Sequence, residues 1–217
     1  MDSDLTTVAV AADSLGVSDP ADAKVARAVS AASSAIARYI NRPRLHYTVG
    51  FVEKLRGHIE QTRLQLGLLP VSSVASVVFA DGTSLAASDY VVEDLEQGWL
   101  YRSIWPYTGL VRSGLLYDTP AVGTERASIV VTYTGGWVTP AQAVSVGWPG
   151  PARNLPSDVE EACLQTVAAI YQGSGRDGAV ASESFGDYSV AYRASLLGGG
   201  VIPDSAMPLI AAYRRLM

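Results

Sequence analysis

Apolar residues at three- and four-residue spacing mark the first long element of the chain. They are Val25, Val29, Ala32, Ile36, Tyr39 and Ile40. Such a stripe is the core-facing side of an amphipathic helix. Asp19 is a favourable N-cap and Pro20 fits the first helical position, whereas Asn41 and Pro43 stop a helix. The pattern therefore predicts a helix over residues 20–41.

A shorter helix is predicted before this one. Thr6 or Thr7 caps its start, and the helix runs through Leu15. Gly16 then ends it, because glycine readily adopts the left-handed conformation that follows many helices.

A second long helix is predicted over residues 157–173. Ser157 and Glu160 have the spacing of a capping box, and Gly173 ends the pattern. The predicted apolar face consists of Val159, Cys163, Val167 and Ile170. A last helix, capped by Asp204 or Ser205, has an apolar face of Leu209, Ile210, Tyr213 and Leu216 beside Arg214 and Arg215.

Between Leu45 and Tyr133 the pattern changes to alternation, with Val, Thr, Tyr and Phe enriched, which is typical of β-strands. Five runs read as strands. They are 58–66, 74–80 with a turn at Asp81-Gly82, 90–93, 99–102 and 128–133. We expect five to seven short antiparallel strands, with neighbours in sequence pairing as hairpins.

These elements predict an α+β fold: a helical bundle from the N- and C-terminal helices, with an antiparallel β-rich insertion and an extended C-terminal segment. The predicted division is residues 1–44 for the N-terminal core helices, 45–135 for the insertion, 136–156 for a connecting loop, 157–173 for a core helix and 174–217 for an extended C-terminal arm. Residues 185–192 form a short strand in this arm, and Gly198 to Gly200 give its backbone freedom.

Composition limits the classes of function. The chain has 217 residues, a net charge of −5 and a single cysteine, Cys163. A lone cysteine forms no internal disulfide, and an acidic chain is poorly suited to neutralising phosphates. No stretch approaches the ~20 apolar residues of a membrane span, and the acidic start does not resemble a secretory signal. We expect a cytoplasmic protein that makes no membrane contact.

The sequence offers few catalytic candidates, and each has a structural interpretation that we favour. His46 and His58 lie in strand-like segments, and Cys163 lies on an apolar helix face near Glu160 and Glu161, where acids raise a thiol pKa. Asp89, Glu93, Asp94 and Glu96 gather near one strand end but lack the spacing of a calcium loop. The glycine runs at 135–136 and 198–200 lack the lysine and flanking elements of a phosphate-binding loop. No catalytic, cofactor or metal site is predicted.

Aromatic residues alternate along one β segment. They are Trp99, Tyr101, Trp105 and Tyr107. Such a row fits a sugar- or protein-binding face, and it fits equally well the packing of a sheet against helices. The sequence leaves both interpretations open.

The order of segments resembles the head-tail connector, or adaptor, proteins of long-tailed double-stranded DNA bacteriophages. The resemblance extends over nearly the whole chain. It is carried by residues 37–42 (Ala-Arg-Tyr-Ile-Asn-Arg), by the strand pair 64–66 with 70–74, by 130–137 leading to the proline-led helix at 155–159, and by 183–192 with its Gly-Asp-Tyr-Ser step. Longer stretches at 104–124 and 139–154 depart from the compact pattern of the family.

The resemblance implies a non-enzymatic virion protein that assembles as a dodecameric ring beneath the portal. In that family the C-terminal segment docks on the portal protein, which assigns portal contacts here to Phe185, Tyr188, Leu209, Ile210, Tyr213, Arg214 and Arg215. The opposite face receives a stopper, tail-completion or tail-terminator protein, and packaged double-stranded DNA passes through the channel. The implied location is the virion neck, after assembly in the host cytoplasm.

Two other classes of function stay open beside the connector. One is another virion structural part, or a receptor- or carbohydrate-binding β module, which would use the aromatic row. The other is a small hydrolase that would use His46 or His58.

Overall fold

The computed structural model describes residues 3–42, 44–56, 61–79, 82–103, 105, 129–145, 147–174 and 201–214, and the backbone of four short strands at 112–113, 116–117, 182–185 and 188–191. The chain divides into two compact units. Residues 1–46 and 138–217 form what we call the helical unit, and residues 47–137 form the β unit.

The helical unit is built on two long helices from distant parts of the sequence. Its helices are α1 (Val8–Ser14), α2 (Ala23–Ile40), α3 (Pro140–Ala143), α4 (Ser157–Gly173) and α5 (Met207–Ala211). Helix α2 packs against α4, and both also contact α1 and α5. Their shared interior includes Val25, Val29, Ile36, Val159, Cys163 and Val167, which are fully buried. The predicted apolar faces of α2 and α4 are therefore confirmed, although Tyr39 and Ile170 are only half-buried.

The ends of α1 and α2 follow the sequence signals with one exception. Thr7 caps α1 by accepting a hydrogen bond from the Val10 amide at 3.2 Å, and Gly16 follows with a φ of 68°. Asn41 ends α2 in the left-handed conformation. The predicted start of α2 is wrong: its N-cap is Asp22, because the carboxylate of Asp22 reaches the amides of Lys24 and Val25.

The segment that leads into α4 also corrects two predictions. Residues 136–156 are not only a loop, since Thr139 and Gln142 form a reciprocal capping box that starts the short helix α3. Ser157 is the first residue of α4 and not its cap. The Glu160 carboxylate instead accepts a hydrogen bond from the Thr6 hydroxyl at 3.2 Å and pairs with Arg153.

The β unit contains two three-stranded antiparallel sheets. Its strands are β1 (Thr48–Leu55), β2 (Arg63–Gln65), β3 (Val71–Phe79), β4 (Val91–Asp94), β5 (Trp99–Tyr101), β6 (Arg112–Ser113), β7 (Leu116–Tyr117) and β8 (Ile129–Gly135). One sheet has the order β1-β8-β3 and the other β2-β5-β4, and β6 pairs with β7. Together with the helices, these sheets give an α+β fold. The described residues of the β unit thus hold eight strands where five to seven were predicted, and β1 is a long strand that the prediction missed.

Pairing between sequence neighbours was predicted correctly for β4 with β5 and wrongly for β2 with β3. Strand β2 pairs with β5, whereas β3 pairs with β8. The connection between β2 and β3 is not a tight turn, because it buries Leu66, Leu68 and Leu69. These leucines join the core of the β unit, so the chain crosses from one sheet to the other through apolar contacts instead of folding back on itself.

A buried hydrogen-bond network joins β1, β8 and the β2–β3 connection. The hydroxyl of Tyr133, which is fully buried, donates to Glu53 Oε2 at 2.6 Å and accepts from the Leu68 amide at 2.8 Å. The Gly67 amide donates to the same Glu53 oxygen at 2.8 Å. Burial and the negative charge of Glu53 raise the pKa of Tyr133 well above its ordinary value of 10.0.

This raised pKa predicts a loss of stability at alkaline pH. The unfolded chain releases the Tyr133 proton near pH 10, whereas the folded chain holds it, so the stabilisation is complete below pH 10 and decreases as pH rises further. We expect Tyr133 to contribute a decrease in the free energy of unfolding of up to about 1.4 kcal/mol per pH unit above pH 10. Urea unfolding between pH 8 and 11 should show this slope for the wild type and a shallower one for Tyr133→Phe. Equal slopes would contradict the assignment.

Candidate interaction surfaces

The C-terminal segment 201–214 packs on the chain's own helical unit. Ile210 is fully buried, and Ile202 and Ala206 are buried beside it. Leu209 is half-buried and Arg214 is exposed. Ile210 is therefore a core residue of the single chain, whereas Leu209 and Arg214 present surface that a partner can reach.

Two side chains fasten the end of this segment to α4 and α2. The Tyr213 hydroxyl donates to the Asp158 carboxylate, with oxygen distances of 2.9 and 3.0 Å. Burial, followed by the Asp158 carboxylate, raises the pKa of Tyr213. The Arg214 guanidinium carbon lies 5.4 Å from the centre of the Tyr39 ring, a distance typical of a cation–π contact.

The remaining residues assigned to portal contact are described only in part. Phe185 and Tyr188 pair with each other through the backbone of β9 (Ser182–Phe185) and β10 (Tyr188–Ala191). Their side chains, and Arg215, lie outside the described residues. Contact of these residues with a portal stays a prediction.

The candidate catalytic groups occupy structural positions. Cys163 is fully buried in α4 with its sulfur 3.8 Å from the Ser33 hydroxyl, and burial raises the pKa of the thiol to about 12. Burial and then the charge of Arg44 lower the pKa of the half-buried His46. Neither group has the activated state that a nucleophile or a cationic acid needs. His58 lies outside the described residues.

Three of the four neighbouring carboxylates of the β unit, those of Asp89, Glu93 and Asp94, have separate structural roles. Asp89 accepts from the Ala86 amide, and Asp94 accepts from the amides of Glu96 and Gln97 in the turn after β4. Glu93 forms a bidentate pair with Arg63 across the sheet, with distances of 2.6 and 2.7 Å. Within the described ranges, no group of three or more His, Cys, Asp or Glu side chains is placed to hold a metal ion.

The aromatic row does not form one continuous face. Trp105 is buried in the core of the β unit and donates its indole N–H to the Thr62 carbonyl at 3.1 Å. Trp99 is half-buried, and Tyr101 is exposed on β5. Tyr107 lies outside the described residues. Packing therefore explains Trp105, whereas Tyr101 is available to a partner.

An exposed apolar edge runs along β4 and the turn that follows it. Val91, Val92 and Leu95 are 58%, 38% and 46% exposed, and we call these three residues the hairpin edge. Successive strand residues point to opposite faces, so exposure of both valines means that β4 protrudes at the rim of its sheet. The edge is bordered by Asp89 before β4 and Glu96 after it, both exposed.

A shallow groove lies along the solvent side of α2. Arg27, Ala31, Ser34 and Arg38 are exposed at helical spacing, and together with Asp4, Val8, Ala26 and Ser30 they define what we call the α2 groove. The pocket between Asp4, Val8 and Ser34 has a volume of about 410 Å³. Arg27 and Arg38 donate only to backbone carbonyls of their own helix among the residues that the structure describes. The exposed face of α2 thus has small side chains between two guanidinium groups. Arg27 lines the pocket together with Asp4, and Arg38 follows Ser34 by one turn on the same face.

Sequence reasoning identified neither of these two surfaces. The helical spacing of Arg27 and Arg38 was a usable signal for the groove. The consecutive valines of the hairpin edge fit a buried strand as well as an exposed one, so the sequence carried no comparable signal there.

No protein-family model matches the chain, and no curated protein matches it. Its fold is that of chains found in the neck of a phage-like particle: a chain from the neck of the empty gene transfer agent particle, computed with C6 symmetry, matches with a TM-score of 0.54 at 20% identity, covering 98% of this chain and 91% of that one.

Two further structures come from the same kind of particle. A chain from the neck of the native gene transfer agent particle, computed with C12 symmetry, matches with a TM-score of 0.52 and covers 100% of this chain and 96% of that one. A chain of the native virion matches with a TM-score of 0.51, covering 98% and 91%. Both are 20% identical to this chain. None of the helices in the described ranges has the length and apolarity that crossing a membrane requires.

Proposed function

We propose that this protein is a structural, non-enzymatic head-tail connector of a phage-like particle. In this proposal its helical bundle and β insertion assemble as a dodecameric ring beneath the portal, in the neck of the virion, after assembly in the host cytoplasm. The observation that carries the proposal is the likeness in fold to chains of a C12-symmetric neck, which extends over the whole of this chain.

The charge of the chain supports the proposed place around the DNA channel. The net charge of −5 opposes adhesion to phosphates, because nucleic-acid binding depends on Lys and Arg that release counterions. A channel protein has to let double-stranded DNA pass during packaging and ejection. Repulsion between acidic side chains and phosphates suits that task.

The two ends of the ring are proposed to receive different partners. The portal protein binds on the side of the C-terminal arm, and a stopper, tail-completion or tail-terminator protein binds on the other. Leu209 and Arg214 are the arm residues whose exposure supports a portal contact, whereas Ile210 would act indirectly by holding α5 in place. The burial of Trp105 favours this connector over a carbohydrate-binding β module, because it removes one member of the aromatic row from the surface.

Co-purification with a portal protein tests the proposal. Truncation after Gly199 would also remove the buried Ile202 and Ile210, so we prefer the paired substitution Leu209→Ala with Arg214→Glu. We expect the full chain to bind the portal and the paired variant to bind at least about tenfold more weakly, equivalent to 1.4 kcal/mol.

The control carries matched changes elsewhere on the exposed surface, Val144→Ala with Arg56→Glu, and should bind like the wild type. Equal binding by the paired variant would show that the assignment of the arm is wrong while the connector function holds. A full chain that neither binds the portal nor forms rings would refute the function itself.

A further inference from the structure

The hairpin edge and the α2 groove are complementary in shape. The edge presents two valines on an edge strand and Leu95 in the turn that follows, and the groove presents Ala31 and Ser34 beside a pocket that Asp4 and Val8 also line. A single chain that leaves Val91 more than half exposed next to Val92 and Leu95 has an apolar surface suited to covering by a partner. Small side chains on a helix allow such a strand to approach closely.

The two surfaces are also complementary in charge. Arg27 and Arg38 are exposed on one face of α2, with Ala31 and Ser34 between them. Asp89 ends a short 3-10 helix before β4, and Glu96 lies in the turn after β4. An acidic residue therefore lies on either side of the apolar edge in the sequence, as an arginine lies on either side of the small side chains of the groove.

Glu96 and the two arginines have their charges available for such a contact. Within the described part of the chain, Glu96 makes hydrogen bonds through its backbone only, and Arg27 and Arg38 contact no carboxylate. Asp89 uses its carboxylate locally, on the Ala86 amide and the Ser88 hydroxyl, and is nevertheless exposed. Surface charges of this kind set the specificity and rate of association more than its strength.

We infer that neighbouring copies of this chain contact each other through the hairpin edge of one copy and the α2 groove of the next. The inference rests on the proposed ring. A ring of identical subunits needs two different patches on each copy, because a head-to-tail contact joins unlike surfaces. The hairpin edge and the α2 groove are unlike but complementary surfaces, and every copy carries both. Each copy can therefore present its hairpin edge to one neighbour and its α2 groove to the other.

Charge reversal tests this contact because both patches lie in every copy. The first variant, Arg27→Glu with Arg38→Glu, has an acidic α2 groove in addition to its native acidic hairpin edge. The second variant, Asp89→Lys with Glu96→Lys, has a basic hairpin edge in addition to the native arginines of its α2 groove. We expect native mass spectrometry to show ring formation by the wild type, and at least tenfold weaker assembly by either variant alone. An equimolar mixture of the two should restore rings in which the variants alternate, with equal numbers of each.

A control variant reverses two charges outside both patches, Arg56→Glu with Glu161→Lys, and should assemble like the wild type. Cross-linking provides a readout that does not depend on charge. Ala31→Cys in one chain and Val92→Cys in another should form a mixed disulfide on oxidation, whereas Val144→Cys should not replace Val92→Cys. The native Cys163 is buried and should not interfere.

The outcomes separate this contact from the proposed function. Rings formed equally well by the reversed variants, with no mixed disulfide, would overturn the contact and leave the connector function intact. Weak assembly of both variants without recovery in the mixture would also overturn it, since complementary charges would then have failed to compensate. A wild-type chain that stays monomeric with and without a portal would overturn the function and the contact together.

Discussion

Ile36→Ala should lower the free energy of unfolding of the helical unit by about 2–5 kcal/mol. Ile36 is fully buried on the face of α2 that packs against α4, and alanine would leave a cavity there that the two helices can only partly close. The change lies in a helix interior where alanine is the most favourable residue, so the loss measures packing and not helix propensity. Urea unfolding followed by circular dichroism at 222 nm would report it.

The matched control for this prediction is Val144→Ala. Val144 is 71% exposed just after α3, so its truncation should change the free energy of unfolding by less than about 0.5 kcal/mol. If Ile36→Ala were as mild as the control, α2 and α4 would not share an apolar interior, and the proposed architecture would lose its main support.

The seam between α2 and α4 was predictable because helical spacing is a local signal. Val29 and Ile36 on one helix, and Val159 and Val167 on the other, recur at intervals that place them on one face. An apolar face of that width has to be covered, and two such faces in one chain can cover each other. The periodicity thus gave both the helices and the buried residues.

Contacts between distant residues were not predictable in the same way. Strand β8 pairs with β1 and β3, whose paired residues precede it by 50 positions or more, and nothing in the alternation of β3 distinguishes β8 from the nearer β2 as its partner. Glu160 was expected to cap its own helix, yet it bonds to Thr6, 154 positions earlier. The local sequence limits which contacts a residue can make, and the tertiary fold determines which of those contacts forms.

The same limit applies to the interaction surfaces: the sequence predicts which residues share a face, and the fold determines what covers that face. Helical spacing predicted one apolar face of Leu209, Ile210, Tyr213 and Leu216, but α5 ends at Ala211, before Tyr213, and Leu216 lies outside the described residues. The spacing also could not say whether the face meets a partner or the chain's own core. The structure places Ile210 inside the helical unit and bonds Tyr213 to Asp158. Consecutive valines in β4 likewise look like a buried strand until the sheet order shows that β4 lies at an edge.

Gly135, at the end of β8, is a position where a single added methyl group should collide with the backbone of the β unit. A β-carbon there would lie 2.8 Å from the carbonyl oxygens of Leu68 and Pro70. Both atoms belong to the backbone, so neither can rotate away as a side chain would. The φ angle of Gly135 is not in the left-handed region, so the obstacle is contact and not conformational strain.

Gly135→Ala should therefore lower the free energy of unfolding by about 1–3 kcal/mol or more, because the chain around Leu68 has to move to admit the methyl group. Gly173→Ala is the matched control: no atom lies within 4 Å of its added β-carbon, and at the last position of α4 alanine should be neutral or stabilising by up to about 1 kcal/mol. Thermal unfolding of both variants beside the wild type would measure the difference. A Gly135→Ala protein as stable as the Gly173→Ala protein would mean that the β2–β3 connection does not lie against β8, and the pairing of β3 with β8 would have to be reconsidered.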